Sequence, residues 1–169
     1  GLKKNSLFGT KANQTQEKIN KFCNKIKMAK KNVVSDEFLI IARIESLILK
    51  KGMSDALKRA FSYVKAGADG IMIHSNQKNP SEVFKFAKLF KKKYIDIPLV
   101  CVPSTYSSVS ENLLEKNGFN VVIYANQITR SIYPQMIKVT KEILKNGRSL
   151  ESEKKMLNVK QIINLIPTS

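Results

Sequence analysis

Two cysteines, one histidine, no tryptophan and four arginines are all that 169 residues offer of the side chains on which much protein chemistry turns. Cys23 and Cys101 stand far apart, with no Cys-x-x-Cys pair or Cys/His cluster, which excludes a disulfide framework and a zinc site. A reducing, cytoplasmic setting is expected. Apolar runs are short: the longest, such as Phe38 to Ala42 and Leu99 to Val102, fall far below the roughly 20 residues that cross a bilayer. The Gly-x-Gly-x-x-Gly, Walker, nucleophile-elbow and His-Glu-x-x-His patterns are all missing, which removes the dinucleotide, nucleotide-hydrolase, serine-hydrolase and zinc-protease readings. No Asp-x-Asp pair occurs either, so a divalent cation finds no obvious carboxylates. Nor does Gly1 introduce an initiator methionine or the apolar stretch of a secretory signal, and a fragment is expected.

What the chain does have is an apolar fraction of 43% and a formal charge of +17. The first suffices for the core of one domain. The second raises the possibility of a basic module that binds anions or nucleic acid. Only Arg43, Arg59, Arg130 and Arg148 among the 30 basic residues are arginine, however, and lysine is the poorer residue for forked recognition of phosphates and bases. The lysines are spread over every expected helix, so no dedicated surface is marked and nucleic acid is not the favoured partner. No segment gathers charge beside an amphipathic anchor, so no membrane partner is expected.

From Asp36 onward, short apolar runs alternate with amphipathic stretches, the pattern of βαβ units on a parallel sheet. The spacing predicts strands at Phe38 to Arg43, Gly70 to His74, Leu99 to Val102 and Val121 to Tyr124, each near-continuously apolar, as in strands covered on both faces. The helix after the first carries Met53, Ala56, Leu57, Ala60 and Val64 on one face and stops at Gly67. The second starts near Ser81 as N-cap and turns Val83, Ala87 and Phe90 inward. The third spans Ser110 to Asn117, and the fourth is expected to bury Ile132, Met136, Val139 and Ile143 before Gly147. A helix from Gln14 to Lys31, with Ile19, Phe22, Cys23 and Ile26 inward, precedes the repeats. Residues 1–13 read as a loop, and Arg148 to Asn158 as a charged linker into a last helix carrying Val159, Ile162, Ile163 and Ile166, which should pack on another subunit.

Parallel α/β folds bind ligands at the carboxyl ends of their strands. There the sequence places Arg43, Glu45 and Ser46, then His74 and Ser75, then Ser104 and Thr105, then Asn126 and Gln127. An arginine fork and an imidazole suit an anion, and Glu45 can orient either or hold a metal-bound water. Plainer roles stand beside these: an Arg43–Glu45 ion pair that only closes the rim, a structural His74, helix caps at Ser104, Thr105 and Asn126, and a core Cys101.

Taken together, Ile41-Ala42-Arg43-Ile44-Glu45-Ser46, Gly67-Ala68-Asp69-Gly70-Ile71-Met72-Ile73-His74-Ser75, Val102-Pro103-Ser104-Thr105-Tyr106 and Tyr124-Ala125-Asn126 resemble the phosphoenolpyruvate mutase family of the isocitrate lyase superfamily. The likeness runs in unbroken order over nearly the whole chain. It implies an α/β fold that is the carboxyl-terminal half of a (β/α)8 TIM barrel with an extra carboxyl-terminal helix. The barrel part is residues 1–147, including a gating loop over 1–13, and 148–169 form the linker and packing helix. Lys3-Lys4-Asn5-Ser6 is similar to the family's gating loop and lacks the cysteine of the superfamily's lyases. Asn5 favours mutase over phosphonopyruvate hydrolase or another superfamily member. Gln127 departs from the histidine many relatives carry there.

The resemblance implies interconversion of phosphoenolpyruvate and phosphonopyruvate in phosphonate biosynthesis, with Mg2+ as cofactor and a homo-oligomer built through the last helix. Lys3, Asn5, Arg43 and His74 would be catalytic, with Asn5, Arg43 and His74 on the substrate and Glu45, Ser75 and Asn126 supporting. No metal ligand is assigned in this chain, because the family's metal-binding aspartates belong to the amino-terminal half, and the chain alone is expected to be inactive.

Overall fold

The computed structural model describes residues 14–166, which fall into two compact units that part between Ala125 and Asn126. The first holds α1 (Ile19–Lys31), β1 (Ile41–Ile44), α2 (Gly52–Lys65), β2 (Gly70–Ile73), α3 (Ser81–Lys91), β3 (Leu99–Cys101), α4 (Glu111–Lys116) and β4 (Val121–Val122). Its four strands form one sheet in the order β1-β2-β3-β4, every pair parallel. Strands consecutive in the chain are thus neighbours in space, each crossover carrying a helix, as the alternation in the sequence predicts.

Register gives the sheet two unlike faces, since side chains alternate along each strand. Ala42 and Ile44 pair with Ile71 and Ile73, and Ile71 with Leu99. These residues and Cys101 join Ala56, Ala60 and Tyr63 of α2, Val83, Phe86, Ala87 and Phe90 of α3, and Leu114 of α4 in one buried cluster. The other face presents Ile41, Arg43, Met72, Val100 and Val121, and its cover is partial: Val121 is 45% exposed. Small residues let the layers approach. A Cβ on Gly70 would lie 2.7 Å from Ile41 Cδ1 and 3.2 Å from the Pro98 carbonyl oxygen, which is why glycine begins β2.

Several boundaries differ from expectation for identifiable reasons. β1 begins at Ile41 because its partner begins at Gly70, and the Asp69 carboxylate takes the Ile40 N–H (2.7 Å) before the ladder starts; Phe38 and Leu39 are exposed. β4 ends at Val122 because the neighbouring chain reaches Pro103, which has no N–H to extend the pairing. Residues 14–17 precede α1 outside any helix. Ser81 is the first residue of α3 and not its cap: Pro80 holds that place, and Asn79 Oδ1 accepts from the Ser81 N–H at 2.9 Å.

The second unit comprises α5 (Gln127–Asn146), α6 (Leu150–Glu153) and α7 (Val159–Ile163). Gly147 closes α5 with φ of 63°, the left-handed cap expected there. The stretch read as a linker contains α6. Its turn is held by Arg148 on Glu151 (2.7 Å), by the Ser149 hydroxyl on Glu153 (3.2 Å) and by a buried Ser152 whose hydroxyl donates to Glu142 (3.2 Å). Such local polar ties leave no apolar period to detect. The stripe on α5 is not buried as expected: Ile132 and Met136 are half exposed or more, and they line an apolar groove of about 550 Å³ with Val139 and Met156. Asn158 and Gln161 cap α7 reciprocally, satisfying both ends of the capping box.

Candidate functional site

Ile44 points into the helix-covered core, so Arg43 and Glu45, one residue to either side, emerge together on the other face of β1. They meet there: Arg43 Nε donates to Glu45 Oε1 at 2.5 Å, with the Glu45 side chain only 12% exposed. One step past the last ladder pair, Ile44 with Ile73, the chain reaches Glu45 on one strand and His74 on its neighbour. His74 and Ser75 are both buried. Arg43, Glu45, His74 and Ser75 therefore gather at the carboxyl ends of adjacent parallel strands, as the sequence predicts, and the Arg43–Glu45 ion pair weighed there as a plain structural feature exists.

Ser75 is tied down from three directions. Its hydroxyl donates to Glu82 in the first turn of α3 and accepts the Gln77 N–H at 3.0 Å, and its carbonyl accepts the Thr105 hydroxyl at 3.1 Å. Thr105 thus links the rims of β2 and β3, while the cap of α4 is Ser110, whose hydroxyl accepts from Leu113 N–H. Cys101 is core: burial pushes its thiol up to about 11, against a smaller lowering by the Tyr106 hydroxyl, and it stays protonated at neutral pH.

A second polar group backs the end of β1, and sequence reading did not find it. The fully buried Ser46 hydroxyl donates to Asp55 Oδ2 (2.7 Å), and the Gln16 side-chain amide lies 2.9 Å from the same hydroxyl. Arg59 Nε donates to Asp55 Oδ2 (2.9 Å), and its Nη1 reaches the Glu17 carbonyl (2.9 Å) and the Tyr63 hydroxyl (3.1 Å). Burial raises the Tyr63 hydroxyl above its ordinary value although Arg59 pulls it down. Arg59 thereby clips residues 14–17 to α2 and the end of β1. Between them lies a cavity of about 260 Å³ bounded by Gln14, Glu17, Lys25, Arg43, Glu45 and Arg59. Its three cations are each matched by a carboxylate, Lys25 by Glu17, Arg43 by Glu45 and Arg59 by Asp55, so the cavity is polar without an excess of either charge.

Only the i,i+4 spacing of Asp55 and Arg59 was visible in sequence; Gln16 and Glu17 come from 30 and 42 residues away. Arg59→Met should strand the Asp55 carboxylate and the Glu17 carbonyl in a largely dry setting. A cost of about 2–3 kcal/mol follows, roughly 5–10 °C in Tm. Scanning calorimetry reads it, and an unchanged midpoint would show the clip to be ornamental.

Lys3 and Asn5 lie outside the described residues. Asn126 belongs to the second unit, where it heads α5, accepts weakly from Arg130 Nη1 (3.5 Å) and donates its backbone N–H to Gln127 Oε1 (3.1 Å). Among the described residues no group of three His, Cys, Asp or Glu side chains is placed to hold a metal ion. None of their helices is long and apolar enough to cross a membrane.

Comparison with known proteins gives a consistent result. The family model for phosphoenolpyruvate phosphomutase matches residues 3–144. The phosphoenolpyruvate phosphomutase of Tetrahymena pyriformis is 36% identical over 163 residues, covering 96% of this chain and 53% of that protein. A crystal structure of phosphoenolpyruvate phosphomutase from Streptomyces platensis subsp. rosaceus superposes with a TM-score of 0.86 at 31% identity, over 96% of this chain and 55% of that one. A phosphonopyruvate hydrolase crystallised with oxalate and Mg2+ gives 0.82 at 35% identity, over 92% and 54%. The chain spans about half the length of the curated relatives it matches.

Proposed function

The chain belongs to the phosphoenolpyruvate phosphomutase family, and from that premise we propose that it is the carboxyl-terminal half of a (β/α)8 barrel that interconverts phosphoenolpyruvate and phosphonopyruvate. One observation carries the reading: Arg43, oriented by Glu45, and the buried His74 leave neighbouring parallel strands at the same end. In the reaction the bond from phosphorus to the enol oxygen breaks and one from phosphorus to the methylene carbon forms, with no net gain or loss of a proton. Such a transfer needs little covalent help; it needs the phosphoryl group and the enolate held in line while charge moves between them. Arg43 and His74 hold phosphoryl oxygens, and Glu45 fixes the guanidinium fork. Asn5 contacts the transferring group, and Lys3 helps close the loop over 1–13 so that water does not capture the phosphoryl group. Ser75 and Asn126 support this set.

The partial barrel comprises 1–147, a range that the family match over 3–144 supports, with 148–169 as linker and packing helix. Exposed Val159, Ile162, Ile163 and Ile166 support a homo-oligomer joined through that helix, and the free thiols of Cys23 and Cys101 support a reducing, cytoplasmic setting. Mg2+, present in the hydrolase relative, is the cofactor we expect of the whole enzyme. The described residues do not fit it, having no cluster of ligands; the family likeness puts the expected carboxylates in an amino-terminal half.

The test joins this chain to the four amino-terminal βα units and follows phosphonopyruvate with Mg2+ by 31P NMR. We expect the phosphonate resonance to give way to the ester resonance of phosphoenolpyruvate, and Asn5→Ala to erode that conversion. Inorganic phosphate with pyruvate would instead establish hydrolysis, the second reading, which the 35% identity to a phosphonopyruvate hydrolase favours. Neither product would sink both.

A further inference from the structure

We propose that Thr105 is a positioning residue for His74, acting through Ser75. The β2–β3 ladder stops at Ile71 with Leu99 and Met72 with Val100, so the rim above it depends on side chains. There Ser75, the residue that follows His74, is held both by its carbonyl and by its hydroxyl. The Thr105 hydroxyl, arriving from the β3 side, donates to the Ser75 carbonyl at 3.1 Å, and Glu82 in the first turn of α3 takes the Ser75 hydroxyl proton. The Ser75 hydroxyl in turn accepts the Gln77 N–H, which bends the chain away from the strand toward α3.

His74 and Ser75 are 3% and 1% exposed, so water does not readily replace a lost partner and the carbonyl would be left unsatisfied in a dry site. Thr105 has no competing duty as a cap, since Ser110 performs that for α4. Its hydroxyl therefore serves the backbone of Ser75, and through it the residue before, His74. A ring whose backbone can rotate presents its nitrogens in more than one place, and small misplacement of a phosphoryl ligand is costly in rate. The bearing of Thr105 on catalysis rests on the role proposed above for His74; the positioning itself does not.

His74 is the sole histidine, so histidine labelled with 15N reports on this ring alone. Magic-angle-spinning spectra of the sedimented chain read it whether or not the chain self-associates. One pair of sharp imidazole nitrogen signals is expected for the unmodified protein. Thr105→Val keeps the shape and removes the donor; it should split or shift those signals, and Thr105→Ser should restore them. Glu82→Gln, which weakens the other tie on Ser75, should move them in a smaller degree and covers the case in which Thr105→Val fails to fold. In the joined barrel, Thr105→Val should lower kcat about tenfold with KM within about twofold. Imidazole signals that superpose for Thr105→Val and Glu82→Gln, or that serine fails to restore, overturn the proposal. If the joined, unmodified barrel acts on neither phosphonopyruvate nor phosphoenolpyruvate, the role of His74 falls while the ring spectra still decide the positioning.

Discussion

Arg43→Met, in the barrel completed with its amino-terminal half, is expected to cut kcat by about 10²–10³-fold, the loss typical of removing one preorganised charge-stabilising donor. The guanidinium is the only arginine on the strands of the sheet, and it is already aimed, with Glu45 holding Nε at 2.5 Å. Arg43→Lys should recover little of this, because an ammonium supplies a point charge without the fork and cannot keep the Glu45 contact in the same geometry. Glu45→Gln, which retains a hydrogen-bond acceptor and loses the charge, should fall between. Steady-state kinetics on phosphonopyruvate with 31P detection measures all three. Equal rates for methionine and wild type would reduce the pair to a rim-closing contact.

The sheet was legible because its information is local. Each strand is a run of β-branched and apolar residues followed by a helical period, and Gly67, Gly118 and Gly147 mark three helix ends with positive φ. The charged pair at the rim was legible for the same reason: Arg43 and Glu45 differ by two positions, and alternation puts them on one side. Harder to read were features whose partners are distant in the chain. Ser46, Asp55, Gln16 and Arg59 form one network only after α2 folds back along β1, and Glu82 reaches Ser75 only once α3 has started at Ser81. Strand ends were misjudged where a neighbour set the limit, Gly70 for β1 and Pro103 for β4. α6 escaped notice because charged and hydroxyl side chains hold it, and these leave no periodic signature.

As 169 residues alone, the chain is expected to sediment as species larger than a monomer and to show no turnover of phosphonopyruvate or phosphoenolpyruvate. Among the described residues β1 and β4 are the two ends of the sheet, each paired on one side only, and an unpaired parallel edge is a template for another chain. The sheet's second face adds apolar surface, with Val121 45% exposed, and the chain just past β4 adds Ile123 and Tyr124 at 37% and 57%. Within the second unit Met136, Ile162 and Ile163 are also exposed by half or more. At about 25 cal/mol per Å², covering even 400 Å² of such surface is worth about 10 kcal/mol before the cost of association, a driving force toward self-association. The absence of turnover is expected for a separate reason: among the described residues no carboxylate cluster is placed to hold a cation, and the roles proposed for Arg43 and His74 call for one to balance the phosphoryl charge. Adding the amino-terminal half as a second polypeptide should reverse both results together, moving sedimentation toward one defined species and restoring the 31P signal. A monodisperse monomer of the chain alone with Mg2+-dependent turnover would show instead that four strands make a complete enzyme.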